Sequence, residues 1–517
     1  MQRESWQRGA VVGVLTAAAA LGGAGLVAGF IGEASAPIIV VGSALVDATP
    51  EWLKSFAIRT FGANDKLVLL AGIYVVLGLV AAGVGVITMR RRWVGFVALA
   101  AFGLAGAFAA ASRPAAGQAD VLPAIAGAVA GAIALSLLTR FAVAGAESRG
   151  LLPSDASPET IPDPARRRFM LTGFAVAGTS LAAGAAGRVL LQKRFDVEAS
   201  REKVVLPSTA NTPGATTGDA LKAPGLTPFL TPNDEFYRVD TSLIVPKVMA
   251  EEWRLRIHGM VDRELTLNLE ALMSRPAIER EITLACVSNP VGGKYIGNAI
   301  WLGTSFADLL REAGVHSDAT QLVSTSVDGF TLGTPVEAIM DGRDAMLAYG
   351  MNGEPLPLEH GFPVRQIVPG LYGYVSATKW VVDMELTTFE AFDPYWVRRG
   401  WAEQAPIKTQ SRIDTPRSKS NLAAGEVPVA GIAWAQHRGI ERVEVLVDGA
   451  VAGAAQLGSG GTIDTWKQWV YRWNATPGQH TLQVRATDGE GETQPETMQE
   501  PFPDGATGWH TIEVGVE

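Results

Sequence analysis

The stretch Ile282-Thr-Leu-Ala-Cys-Val-Ser-Asn-Pro-Val-Gly-Gly-Lys294 contains the single cysteine of the chain, Cys286. Residues 281–285 predict a short strand that ends at Cys286, and the proline and glycines that follow predict a loop. Backbone N–H groups in such a loop can bind an anion, and a thiolate is a soft ligand for a transition metal. The residues alone leave two interpretations open, a metal ligand beside an anionic cofactor or a small core residue.

The sequence around this stretch predicts a mixed α+β domain over residues 227–405. Apolar and alternating runs predict strands, and two amphipathic runs predict helices at 269–273 and 304–313. Thr304 or Ser305 is available to cap the second helix. The predicted strands are 253–258, 281–285, 321–326, 345–349, 364–368 and 379–386.

Residues 406–517 follow an all-β pattern. Val443, Val445 and Val447 recur at every second position, and Asp448-Gly449 then offers a hairpin turn. Similar runs recur about every ten residues, which is typical of a β-sandwich of immunoglobulin type. With one cysteine in the chain, no intramolecular disulfide can join the two sheets.

The first third of the chain is strongly apolar, within a protein of 517 residues with a formal charge of −9. Five segments carry no charged residue, and each has about the 20 residues that a helix needs to cross a bilayer. Residues 1–192 are therefore predicted to form a five-span membrane anchor, and residues 193–226, rich in Pro, Thr and Gly, a loose linker. The five segments are 11–31, 67–88, 93–112, 121–139 and 169–187.

Basic residues predict the orientation of the anchor, because arginine and lysine concentrate on the cytoplasmic side. With a cytoplasmic amino terminus, all three basic clusters lie on that side, and residues from about 192 onward lie outside the cytoplasm. The expected location is the cell membrane, as a multi-pass protein with its catalytic domain extracytoplasmic. The clusters are Arg3 with Arg8, Arg90 to Arg92, and Arg166 to Arg168.

The last cluster has two interpretations. The sequence Ala165-Arg-Arg-Arg-Phe-Met-Leu-Thr172 and the apolar stretch to residue 187 resemble a twin-arginine export signal, retained as an anchor. The preference of arginine and lysine for the cytoplasmic side explains this cluster equally well, without any export signal. All six histidines follow the spans, which excludes bis-histidine haem ligation within them.

Five motifs, in order, resemble those of the sulfite oxidase family of molybdenum enzymes, over nearly all of the chain from residue 227 to the end. In that family the cysteine binds molybdenum, and an immunoglobulin-like dimerisation domain follows the catalytic domain. The motifs are Thr231-Pro-Asn-Asp-Glu-Phe-Tyr-Arg238, Cys286-Val-Ser-Asn289, Tyr349-Gly-Met-Asn-Gly-Glu-Pro-Leu356, His360-Gly-Phe-Pro-Val-Arg365 and Gly373-Tyr-Val-Ser-Ala-Thr-Lys-Trp380.

The resemblance implies a molybdopterin cofactor with molybdenum bound by Cys286, and a catalytic role for Cys286 and Tyr349. It further implies oxygen-atom transfer on a small molecule, a separate electron partner (a cytochrome or a quinone-linked membrane protein) and a homodimer, with no nucleic-acid partner. The residues implied to hold the pterin and its phosphate are Tyr237, Arg238, Cys286, Thr325, His360, Arg365, Ser376 and Lys379.

The chain departs from the family where arginines would bind a dianionic substrate. Val239-Asp240-Thr241 and Pro290-Val291 stand at those places, so sulfite is not secured as the substrate. The missing arginines favour a neutral substrate, so one alternative is a reductase of sulfoxides, such as protein methionine sulfoxide, on the same cofactor. A separate alternative is a cofactor-free membrane-anchored binding or assembly protein.

Overall fold

The computed structural model describes residues 2–50, 65–112, 117–150, 164–209 and 221–517, with positions 53 and 60. The chain divides into two compact units. The first comprises Met1–Asp196 with Ser242–Pro246, and the second comprises Val197–Thr241 with Lys247–Glu517.

The first unit is helical in its described part. Among the described residues, five stretches are long and apolar enough to cross a membrane: Trp6–Ile31, Lys66–Thr88, Arg92–Ala111, Gln118–Ala142 and Arg167–Glu202. They coincide with the five predicted spans. The helices are α1 (Gln2–Ile31), α2 (Pro37–Ala48), α3 (Asp65–Thr88), α4 (Arg92–Ala111), α5 (Leu122–Gly150) and α6 (Pro164–Arg194).

Glycines let α1 lie close to its neighbours α3, α5 and α6. A Cβ added to Gly85 would lie 2.2 Å from the carbonyl oxygen of Gly9, and one added to Gly187 would lie 2.2 Å from that of Gly25. Small residues at such crossings are typical of helices that pack in lipid. Large apolar side chains such as Leu104 and Phe108 are exposed on the outside of these helices.

The catalytic part of the second unit is α+β, as predicted. Its strands are β1 (Arg254–Gly259), β2 (Leu265–Asn268), β3 (Ala277–Ala285), β4 (Ile296–Ser305), β5 (Gln321–Ser326), β6 (Thr331–Pro335), β7 (Met346–Met351), β8 (Glu354–Pro355), β9 (Arg365–Ile367) and β10 (Val381–Thr387). Its α-helices are α7 (Val197–Glu202), α8 (Leu269–Met273), α9 (Phe306–Ala313), α10 (Val336–Met340) and α11 (Gly373–Ser376).

Two sheets enclose the core of this domain. One has the order β2-β1-β10-β5-β6, and the other has the order β3-β4-β7-β8, with β9 paired to β7. Strand β4 was not predicted from the sequence, and the predicted helix at 304–313 begins two residues later, at Phe306. Both faces of β4 are buried, so its sequence lacks the alternation that marks a half-exposed strand. Ser305 caps α9, since its hydroxyl accepts from the Asp308 N–H.

The end of the chain forms a two-sheet sandwich. One sheet has the order β11-β13-β17-β16 and the other β12-β19-β18-β14-β15. Asp448 and Gly449 have φ of 53° and 81° and form the predicted hairpin turn between β14 and β15. The strands are β11 (Gln410–Thr415), β12 (Asn421–Leu422), β13 (Gly425–Trp434), β14 (Ile440–Val447), β15 (Ala450–Ala454), β16 (Gln456–Leu457), β17 (Lys467–Ala475), β18 (Gly478–Asp488) and β19 (His510–Val516).

The predicted linker is ordered at its beginning. Helix α7 buries Val197 in the catalytic core, and the hydroxyl of Ser200 donates to the Glu251 carboxylate at 2.7 Å. Arg201 pairs with Glu354 at 2.9 Å. The expectation of a loose segment was wrong here, because so short a helix gives little periodicity to read. Residues 210–220 of this linker lie outside the described residues.

Candidate active site

Cys286 follows the last residue of β3, as its sequence predicted. Its N–H donates to the carbonyl of Tyr295 at 2.9 Å, and its own carbonyl accepts from the N–H of Asn289 at 3.1 Å. The Asn289 side chain closes the loop by accepting from the Tyr295 N–H. The loop therefore returns to Cys286 and fixes the backbone on both sides of its side chain.

The thiol lines a small cavity of about 70 Å³. Burial raises the pKa of Cys286, so without a metal the group remains a neutral thiol. The walls come from separate parts of the chain: the segment before β1, the end of β3, the turn before β9, and the region from α11 to β10. The lining residues are Phe236, Tyr237, Val239, Cys286, His360, Arg365, Gly373, Ala377 and Lys379.

Arg365 is a buried cation with no acidic partner among the described residues. One guanidinium nitrogen donates to the carbonyl of His360 at 3.1 Å, and the group lies 4.9 Å from the ring centre of Trp301. Its Nε has no hydrogen-bond partner in the described structure. Burial lowers the pKa of Arg365 to about 10, which still leaves it charged at neutral pH. An uncompensated buried charge is costly, so this position is built to receive an anion.

Lys379 is the second cation on the cavity wall. Its ammonium donates to the carboxylate of Asp240 at 2.7 Å and to the carbonyl of Glu359 at 3.1 Å. An ammonium has three N–H donors, so these two bonds leave one for the cavity. Burial lowers the pKa of Lys379 to about 8, although Asp240 opposes the shift. Arg238 lies beside this pair and donates to the same Asp240 oxygen at 2.8 Å.

His360 and Tyr237 are neutral at pH 7. Burial lowers the pKa of His360 to about 4, and the charges of Arg365 and Lys379 add to the shift. The Nε2 of His360 lies 2.9 Å from the carbonyl of Asn233, so it carries the proton and donates to the segment before β1, residues 227–241, here called the entry segment. Burial has the largest effect on the pKa of Tyr237 and raises it, and the interaction with Cys286 raises it further. The hydroxyl of Tyr237 therefore stays protonated.

Four predicted residues do not line this cavity: Arg238, which is paired with Asp240, and Tyr349, Thr325 and Ser376. Tyr349 is buried within β7, and its hydroxyl has no hydrogen-bond partner in the described structure. Thr325 lies on β5, opposite Asp383 of β10. The Ser376 hydroxyl donates to the carbonyls of Leu371 and Tyr372, so it is used within the fold. Their roles in the site stay predictions.

The sequence did not single out several residues that form the cavity: Phe236, Val239, Gly373 and Ala377. Phe236 and Val239 are adjacent in sequence to the predicted site residues Tyr237 and Arg238. That adjacency could have indicated them. Gly361 has φ of +111°, and a Cβ there would lie 3.1 Å from the Cβ atoms of both Arg365 and Lys379. A glycine at this point allows the two cations to approach each other.

The β-sandwich braces the strand that carries Cys286. The amide of Gln436 donates to the carbonyl of Thr283 at 3.0 Å, and the Trp466 N–H donates to the Thr283 hydroxyl at 2.8 Å. A Cβ added to Gly292, in the loop after Cys286, would lie 2.3 Å from the ring of His510. The terminal domain thus supports the site itself.

Comparisons with known proteins agree with this geometry. A family described as an oxidoreductase molybdopterin binding domain matches residues 242–396, and a bacterial Ig domain matches residues 410–484. The chain is 33% identical over 150 residues to the uncharacterized oxidoreductase YuiH of Bacillus subtilis (strain 168), covering 29% of this chain and 72% of that protein. It is 29% identical over 319 residues to human mitochondrial sulfite oxidase, covering 52% of this chain and 58% of that protein.

The chain belongs to the sulfite oxidase family of molybdopterin oxidoreductases. It spans 58% of the length of the human sulfite oxidase that it matches. A solved structure, the sulfane dehydrogenase SoxCD from Paracoccus pantotrophus, is similar at a TM-score of 0.47 and 22% identity, covering 66% of this chain and 86% of that chain.

The family implies a molybdopterin cofactor that carries molybdenum, and the cavity residues fit it. Arg365 offers an orphaned, buried N–H for an anionic group, and Lys379 offers a second positive charge. Among the described residues, no three His, Cys, Asp or Glu side chains cluster into a metal site of their own. The Cys286 sulfur would supply one soft ligand to the metal that this cofactor carries.

Proposed function

We propose that this protein is a membrane-anchored oxidoreductase that transfers an oxygen atom to or from a small molecule outside the cytoplasm. The observation that carries the proposal is the shared cavity of the Cys286 thiol and two buried cations, Arg365 and Lys379. Soft sulfur beside fixed positive charge matches a metal held on an anionic organic cofactor. Membership of the sulfite oxidase family argues against the alternative of a cofactor-free binding or assembly protein.

The bound cofactor would supply two-electron oxygen-atom transfer at molybdenum. Cys286 would lose its proton on binding the metal, since only the thiolate is a ligand and burial otherwise keeps the thiol neutral. Arg365 and Lys379 would bind the cofactor phosphate. Neutral His360, held on the Asn233 carbonyl, would fix the entry segment against the pterin.

The first unit supports the membrane part of the proposal. Large apolar side chains on its helices are exposed, including Phe174 at 74% and Leu181 at 75%, and water would oppose such a surface. The basic clusters support an orientation in which residues from 192 onward lie outside the cytoplasm. A phosphatase that is active only outside the cytoplasm is expected to be active when fused after residue 192. A reporter that is active only in the cytoplasm is expected to be inactive at the same junction. The opposite pair of results would contradict this orientation.

Molybdenum content tests the cofactor assignment. The full chain, purified in detergent from a molybdate-replete host, is expected to contain about one molybdenum per chain, because one cysteine ligand serves one metal. Cys286→Ser should lose most of the metal and keep a cooperative thermal transition. Lys294→Ala, at an exposed position in the same loop that does not line the cavity, is the control and should retain the metal. Wild-type protein without molybdenum would end the proposal.

A second candidate, reduction of a neutral sulfoxide on the same cofactor, is favoured by the Asp240 carboxylate held on Lys379. A negative charge there opposes a dianion such as sulfite. Oxidation of sulfite with ferricyanide and reduction of a sulfoxide with reduced viologen distinguish the two directions. The electron partner is proposed to be a separate cytochrome or quinone-linked protein, and the homodimer is likewise a proposal.

A further inference from the structure

The helices of the first unit surround a large apolar cavity. Helices α1 to α5 all contribute to its walls, and its volume is about 610 Å³, within the range of roughly 300–1,000 Å³ that is typical of ligand sites. Among the described residues that line it, none is charged. The cavity therefore suits a neutral, apolar ligand, because a charged group would lose its hydration there without gaining a partner.

The cavity is long in the direction of the helices. Its lining residues on α3 run from Val68 to Thr88, and at about 1.5 Å per residue this distance is about 30 Å. The hydrocarbon core of a bilayer is about as thick, roughly 30 Å. On α1 the wall consists largely of small side chains, including those of Ala17 and Ala24. An extended hydrocarbon tail fits a space of this form better than a compact molecule does.

One polar group interrupts the apolar wall. Thr16 of α1 lines the cavity and is 6% exposed, and its hydroxyl has no hydrogen-bond partner in the described structure. The buried hydroxyls of Thr88, Thr139 and Ser180 instead donate to the carbonyl four residues earlier in their own helices, at 2.6–2.7 Å. Thr16 thus differs from these three in keeping a donor that no protein acceptor uses, which is costly in apolar surroundings.

The position of Thr16 along α1 restricts the kind of ligand. The apolar stretch of this helix is Trp6–Ile31, so Thr16 lies about 15 Å from its first residue and about 22 Å from its last. A phospholipid carries its ester carbonyls at the edge of the hydrocarbon core, because its headgroup stays in the interfacial region. An acyl chain therefore offers no acceptor at this depth. The ligand must instead bring an acceptor into the hydrocarbon core on an uncharged molecule.

We propose that this cavity binds an isoprenoid quinone, with the Thr16 hydroxyl donating to a quinone carbonyl and the isoprenoid tail lying along α1 and α3. The class follows from its chemistry, since a quinone is uncharged, carries carbonyl acceptors and has a long apolar tail. The inference rests on the membrane placement in the proposed function and is independent of the chemistry at Cys286. It adds a ligand site to a unit that otherwise serves as an anchor.

The first test is the affinity of decylubiquinone for the full-length protein in detergent, measured by titration calorimetry with the signal of empty micelles subtracted. Thr16→Val keeps the volume of the side chain and removes the hydroxyl, so affinity should fall on the order of tenfold. Thr16→Ser should stay within about threefold of wild type. Thr179→Val is the matched control and should bind as wild type does, because that hydroxyl donates to the Ala175 carbonyl at 2.8 Å and does not line the cavity.

A second pair of variants tests the cavity itself. A Cβ added to Gly72 or to Gly78, both on α3, would meet nothing within 4 Å, but of the two only Gly72 lines the cavity. Gly72→Leu should abolish quinone binding by filling the space, whereas Gly78→Leu should leave the affinity unchanged. Both changes replace a glycine within a helix, so neither should weaken the helix itself.

Full quinone affinity in Thr16→Val would overturn the inference, even if Gly72→Leu abolished binding, because the cavity would then hold an apolar chain without using the hydroxyl. Equal losses in Gly72→Leu and Gly78→Leu would overturn it as well. Recovery of the protein in the membrane fraction is measured on the same variants. Absence from the membrane refutes the proposed anchor, whereas membrane-bound protein that binds no decylubiquinone refutes the quinone site alone.

Discussion

Arg412 of the β-sandwich donates a hydrogen bond of 2.7 Å to the carbonyl of Gly293, in the loop that follows Cys286. The same guanidinium pairs with Asp414 and donates to the hydroxyl of Thr227, at the start of the catalytic domain. One buried side chain thus ties the cysteine loop and the entry segment to the terminal domain. The sandwich therefore supports the site within one chain, independently of its proposed role in dimerisation.

Arg412→Ala is expected to lower the free energy of unfolding by about 3 kcal/mol, because it leaves the buried Asp414 carboxylate without its partner. Loss of the bond to Gly293 should also reduce molybdenum content. Thermal denaturation and metal analysis measure the two effects. Arg472→Ala removes an exposed pair with Glu426 and should change the free energy by no more than about 0.5 kcal/mol. Equal effects of the two changes would contradict the bracing role.

Gly292→Ala should destabilise the same contact between domains. Gly292 has φ of +74°, and an added Cβ would lie 2.3 Å from the ring of His510. We expect a loss of about 2–4 kcal/mol, the sum of backbone strain and overpacking, measured by chemical denaturation.

Gly449→Ala is the control for backbone strain, since Gly449 has φ of +81° and nothing within 4 Å of the added atom. It should cost about 1–2 kcal/mol. The difference between the two variants isolates the clash with His510. If Gly449→Ala cost as much, the crowding at Gly292 would have no part in the effect.

Arg365→Met should separate stability from cofactor binding. In cofactor-free protein the buried guanidinium has no counter-charge, so its replacement is expected to leave the melting temperature equal or higher. In molybdate-replete cells the same variant should lose most of its molybdenum. A variant that melts well below wild type in the absence of cofactor would show that Arg365 is instead a structural residue.

Acid should destabilise the catalytic domain through His360. Its ordinary pKa is 6.5 and burial lowers it to about 4, so between these values the unfolded chain binds a proton that the folded chain does not. Stability attributable to His360 is therefore complete above about pH 6.5 and falls as the pH drops, by at most about 3 kcal/mol. His360→Gln should flatten this slope in urea denaturation measured between pH 7 and about pH 4.5. An unchanged slope in His360→Gln would contradict this assignment.

Motif order and residue pattern were enough to predict the family, the cofactor and the two architectures within residues 227–517. Periodicity located β5 at its observed residues 321–326 and α8 at 269–273, because each is a local pattern of apolar residues. It failed at β4, where burial on both faces removes the pattern, and at α7, where six residues are too few to show one.

By itself, the sequence determined what could be read from neighbours along the chain: five apolar segments, a cysteine at a strand end, and cationic motifs near it. Only the tertiary structure decided which of these meet. It brought Arg365 and Lys379 to one cavity with Cys286, left Tyr349 and Thr325 outside that cavity, and set Asp240 on the lysine. Such contacts join residues about 80 to 140 positions apart, and their geometry follows from sheet register and packing, which local composition does not encode.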